Sequence, residues 1–144
     1  MEQLFNDLRQ QIAGTMGDTV ALIDEDYGQL DALTNGEAQY PLTFPCILIS
    51  PIETAWNAQK CNRQHGHCTL SVRLAFDCRN STTQQAAERM QAADRLDACL
   101  HGWLMDGCCT PLTRRTGRLR GLPGGIKVYE TEYSTTVDEP ACSE

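Results

Sequence analysis

From Gly66 to Cys78 the chain alternates with a period of two. Cys68, Leu70, Val72, Leu74, Phe76 and Cys78 occupy the even positions, while Thr69, Ser71, Arg73 and Asp77 occupy odd ones. This is the side-chain period of a strand with one buried and one wet face, and it predicts a long antiparallel strand over residues 66–78. Burying Leu70, Val72, Leu74 and Phe76 is worth about 1.5–3 kcal/mol each relative to exposure. Another element must therefore cover that face.

The other elements follow from the same patterning. Leu4, Phe5, Leu8 and Ile12 recur at helical spacing, with Glu2, Gln3, Asp7, Arg9 and Gln10 between them, which predicts an amphipathic helix over 2–13 ended by Gly14. Residues 18–24 predict a short strand running into the acidic segment 24–30, and 31–40 read as loop. Phe44 to Ser50 is apolar on both faces and stops at Pro51, as a central strand does. The polar segment 53–65, which holds Trp56, predicts a further strand or a hairpin arm turning at Gly66.

Asn80, Ser81, Thr82 and Thr83 supply caps. Ala86, Ala87, Met90, Ala93, Leu96, Leu100, Trp103 and Leu104 then follow at steps of three and four, predicting a helix over 82–104 that covers the long strand. Residues 107–125 are rich in glycine and predict a long loop or loose hairpin. Residues 126–137 alternate again and are rich in β-branched and aromatic side chains, so they predict the last strand, with 138–144 a loose tail. The order is helix, strand, strand, a further strand, long strand, helix, long strand. It predicts an α+β fold in one domain over 1–144, a mostly antiparallel sheet of about four to five strands with two helices on one face.

Composition narrows the function more than the fold. Twelve Lys and Arg against nineteen Asp and Glu give a net charge of −7, which argues against the whole chain binding nucleic acid or an anionic membrane. No stretch approaches a membrane span, and the first residues lack the pattern of a secretory signal. Eight cysteines could suggest disulfides. In a chain of 144 residues with its own core and no export pattern, they read instead as reduced structural thiols.

Four clusters are candidates for chemistry. Cys61, His65, His67 and Cys68 place four metal-ligating residue types in eight positions, with Cys108 and Cys109 as a possible second pair. Adjacent strand residues such as His67 and Cys68 point to opposite faces, however, and structural zinc usually takes ligand pairs from separated segments. No Cys–His combination is singled out as catalytic, and His101 reads as a helix residue. Residues 121–125 are glycine-rich but lack the Lys-Ser/Thr of a phosphate loop, so they read as a turn. The basic run Arg114, Arg115, Arg118 and Arg120 reads as a solvated loop or as a contact with an acidic surface, such as another copy of this chain, or with nucleic acid. The absence of interleaved aromatics favours protein over bases, and Asp24, Glu25 and Asp26 are a possible complementary patch.

The N-terminal helix, the Asp24-Glu25-Asp26-Tyr27-Gly28-Gln29-Leu30 segment, the Tyr40-Pro41 to Pro45-Cys46-Ile47-Leu48-Ile49 entry into a strand, the strand over 69–77, the helix over 82–104 and the closing Tyr133-Ser134-Thr135-Thr136 together resemble the tail-terminator, or tail-completion, proteins of long-tailed phages and prophages. The resemblance implies a non-enzymatic structural subunit without cofactor. Such a subunit forms a ring, typically a hexamer, that caps the tail tube and meets the head-completion proteins, with DNA passing through without sequence-specific binding. It implies a place in the virion tail after assembly in the host cytoplasm, and no membrane. The eight cysteines and the His65/His67 cluster fall outside the family pattern. The alternative drawn from the residues is a metal-binding or thiol-redox module built on the cluster from Cys61 to Cys68.

Overall fold

The computed structural model describes residues 2–34, 42–58, 64–78, 83–123 and 125–139. Within them the chain runs α1 (Glu2–Met16), β1 (Leu22–Glu25), α2 (Gln29–Thr34), β2 (Cys46–Ile49), β3 (Glu53–Ala58), β4 (Gln64–Asp77), α3 (Thr83–Leu100), β5 (Thr113–Leu122) and β6 (Ile126–Glu139). The class is α+β, as the patterning predicts. The sheet has six strands, more than the expected four to five, in the order β1-β2-β4-β6-β5 with β3 also paired to β4. Every pairing is antiparallel except β1 with β2.

The strand over 66–78 is the spine of this sheet. β4 pairs with β6 along its full length and, on its other edge, with β2 and then β3. Its even residues Cys68, Leu70, Val72 and Leu74 are buried with Ile47 and Ile49, beneath Leu4, Leu8, Ile12 and Met16 of α1 and Ala92, Leu96 and Leu100 of α3. The two long helices do cover one face. Gly66 is not a turn. It pairs with Trp56 inside the β3–β4 ladder, and a Cβ there would lie 2.8 Å from the Trp56 ring and from Thr54 Cγ2.

Other boundaries move for identifiable reasons. α1 continues through Gly14 to Met16, because Met16 completes its buried stripe. α3 stops at Leu100, short of 104, and Gly102 has a left-handed φ of +84°. Its inward face is Arg89, Ala92, Leu96 and Leu100, while the expected Met90 and the post-helical Leu104 are each 54% exposed. The Nε of Arg89 is buried without a hydrogen bond among the described residues.

The segment 107–125 contains a ten-residue strand, β5, joined to β6 by a tight turn at Pro123 and Gly125. β6 continues through Asp138 to Glu139, so the expected tail begins with strand; residues 140–144 lie outside the described residues.

The second face of the sheet is not wholly wet. α2, in a segment expected to be loop, seats Leu30 against Cys46, Leu48, Ala75, Ile126 and Val128. β2 is consequently buried on both faces, as its uninterrupted apolar run predicts.

Candidate functional site: a charged sheet face and its exposed edge

Beyond α2, the second face carries a ladder of charges built by strand register. Arg73 on β4 lies directly opposite Glu130 on β6, which lies opposite Arg118 on β5. Arg73 Nε donates to Glu130 Oε2 at 2.7 Å, and Arg118 donates through Nε and Nη2 to Glu130 Oε1 at 2.8 and 2.7 Å. Arg73 Nη1 also stands 3.5 Å from Asp26 Oδ2 just after β1. The result is a line of alternating charge, Asp26, Arg73, Glu130 and Arg118, crossing the sheet. Burial alone would raise the Glu130 carboxyl, but hydrogen bonds from the Arg118 and Arg73 guanidinium groups outweigh it and hold the group below its ordinary value. Burial would likewise lower Arg73, and Glu130 and Asp26 reverse that and raise it.

The four arginines expected as a loop cluster are therefore strand residues, each held differently. Arg114 reaches the helix side, where its Nη1 donates to Asp97 Oδ2 at 2.7 Å. Tyr133, fully buried on β6, donates its hydroxyl to the other oxygen of Asp97. Arg115 sits at a bulge between Arg114 and Thr116 and donates from Nε to Ser134 Oγ at 2.7 Å. Arg118 belongs to the ladder. Arg120 has no ion pair among the described residues; it shares a small cleft with Asp31, Arg73, Leu122 and Val128. Every residue of β5 from Thr113 to Gly121 is exposed, as suits a strand that, among the described residues, has one unpaired edge and little cover on either face.

The acidic segment is divided. Asp26 is drawn into the ladder, whereas Asp24 and Glu25 make no ion pair among the described residues. Asp24 Oδ1 accepts from the Glu25 N–H at 2.8 Å, and the Glu25 carbonyl accepts from Gln29 Nε2 at 2.8 Å. Charge-bearing groups of 24–31 and 114–120 thus meet partly within one chain, through Arg73, a residue the sequence reading placed only on the wet face.

The three metal candidates among the described residues, His65, His67 and Cys68, do not converge. His65 and His67 share the second face with ring centroids 5.2 Å apart, and His65 Nδ1 contacts Asp138 Oδ1 at 2.5 Å. Cys68 points the other way into the core, and Cys61 lies outside the described residues. Cys108 is half-buried and Cys109 exposed. Among the described residues no group of three or more His, Cys, Asp or Glu is arranged to hold a metal ion. The six described cysteines are free thiols, and burial pushes the Cys46 thiol up to about 12. His101 follows α3, and its Nδ1 accepts from the Arg114 N–H at 3.2 Å. No described helix is long and apolar enough to cross a membrane.

This is a mixed-sheet α+β fold with two long helices on one face and a charged ladder on the other. No family model matches the sequence, and no curated protein matches it. Among solved structures the fold is similar to a chain in the virion of a native gene transfer agent particle. The TM-score is 0.62 at 15% sequence identity, and the likeness covers 92% of each chain.

Proposed function

We propose that this chain is a structural subunit of a phage-type particle, a tail-terminator or tail-completion protein that acts by assembly and not by catalysis. In this reading copies form a ring, a hexamer, that caps the tail tube and joins it to the head-completion proteins, and DNA passes through without sequence-specific contact. The protein then resides in the virion tail after assembly in the host cytoplasm. The supporting observation is the likeness of fold, over nearly the full length of both chains, to a chain of the gene transfer agent virion. The exposed ten-residue β5 edge agrees with it, since an unpaired strand edge bearing four cations is a surface suited to a neighbouring protein. The alternative metal or thiol module has lost Cys68 to the core.

Light scattering and electron microscopy of the purified protein, with a binding assay against tail-tube protein, test the reading. Closed rings that bind the tube support it. A monomer at every concentration that ignores the tube overturns it.

A further inference from the structure

Resting on that ring reading, we infer that the two ends of the sheet meet between copies: the basic β5 edge of one chain docks against the acidic β1 end of the next.

The topology places these strands at opposite ends of the sheet, β5 last and β1 first. Their charges are opposite, and some on each side are unspent. Among the described residues of β5, Arg120 has no ion pair and Arg115 is held by a neutral hydroxyl. Arg114 and Arg118 remain 51% and 67% exposed even with their partners. A guanidinium carries five N–H donors, so neither group is saturated by one carboxylate. On β1, Asp24 and Glu25 make no ion pair among the described residues, and Glu25 is exposed.

Charge also fixes the symmetry of the contact. Two β5 edges meeting about a two-fold axis would bring four arginines against four more, and two β1 ends would face carboxylate with carboxylate. Like charges so juxtaposed repel and disfavour both symmetric contacts. The complementary arrangement is head-to-tail, the kind of interface whose repetition closes a ring or grows a filament. Side chains carry it more than strand pairing does. The Glu25 N–H and carbonyl are already taken by Asp24 and Gln29, which blunts the outer edge of β1. A contact made mainly of exposed charge is sensitive to salt.

The test is charge reversal at positions outside the ladder. Arg115→Glu with Arg120→Glu makes one variant, and Asp24→Lys with Glu25→Lys makes the other, each checked for wild-type circular dichroism and thermal melting. Assembly is read by sedimentation from low salt to about 1 M NaCl. The expected result is that either variant alone assembles at least about tenfold more weakly than wild type, that an equal mixture recovers assembly, and that salt weakens the wild-type contact. If both variants assemble as wild type does, the edge contact is overturned while the ring reading stands on another surface. Loss without recovery in the mixture also overturns it. If wild type itself never assembles and ignores the tube, the ring reading fails and takes this inference with it.

Discussion

Arg73 on β4 and Glu130 on β6 are directly opposed residues of neighbouring strands, joined by a 2.7 Å hydrogen bond from Nε to Oε2, with the Glu130 side chain only 11% exposed. Glu130 also receives Arg118, so removing its charge weakens two guanidinium contacts at once. Glu130→Gln is expected to lower stability by roughly 1.5–3 kcal/mol, the range for a hydrogen bond to a charged group. Urea denaturation measures it. An unchanged midpoint would show the ladder to be energetically idle.

The same contacts set the sign of the acid response. Because the guanidinium bonds overcome burial and hold Glu130 below its ordinary value, the folded protein takes up this proton less readily than the unfolded chain. The contribution is present above the unfolded carboxylate pKa and is lost as pH falls through the folded one. Melting temperature should therefore drop on acidification from about pH 5 to pH 3, and Glu130→Gln should shallow that drop. Parallel profiles for the two proteins would assign the acid sensitivity elsewhere.

Tyr133 ties β6 to α3 through Asp97, which Arg114 of β5 holds from its other oxygen. Tyr133→Phe keeps the buried ring and removes one hydrogen bond to a carboxylate, for an expected loss of about 1.5–3 kcal/mol. Tyr133→Ala also opens a cavity and should cost about 3–5 kcal/mol. Equal losses in the two variants would mean that packing alone matters here.

Gly66 is where the Trp56 ring lies against the opposite strand, with no room for a Cβ at 2.8 Å. Gly66→Ala should push the ring outward and destabilise by about 1–3 kcal/mol, as overpacking does. Tryptophan fluorescence in a Trp103→Phe background reports the shift to longer wavelength. An unmoved emission maximum would refute the contact.

Thiol labelling should be strongly graded. Cys46 is fully buried with its pKa raised to about 12, and Cys68 is fully buried too, whereas Cys109 is exposed. Peptide mapping after brief labelling of native protein is expected to find Cys109 modified and Cys46 and Cys68 protected until the fold is opened. Early modification of Cys46 would show that β2 is not held between two covered faces.

What could be read from the sequence depended on whether a face is buried. β4, β2 and β6 show their patterns because core contact forces apolar residues to a period of two or into a run. β5 shows none: nearly every residue is exposed, so nothing constrains its alternation, and Gly117 and Gly121 imitate a loop. α2 is too short to display a helical period, and among the described residues Leu30 is its apolar anchor. In α3 the three- and four-residue steps fit two neighbouring faces, and Arg89 takes the buried position where Met90 was expected. The charged residues were visible as clusters. Their division into intrachain partners was not, because Arg73 joins Asp26 to Glu130 only through strand pairing distant in sequence.

The full-length pairing of β4 with β6 spans a stretch of chain that includes all of α3 and β5. Closing it demands a long-range search before its many contacts are gained, which makes for slow folding. On the ribosome, β4 is made well before its partner. Until β6 emerges, one edge of the central strand stands open to any other strand it meets, so misassociation is a hazard of synthesis more than of the finished molecule.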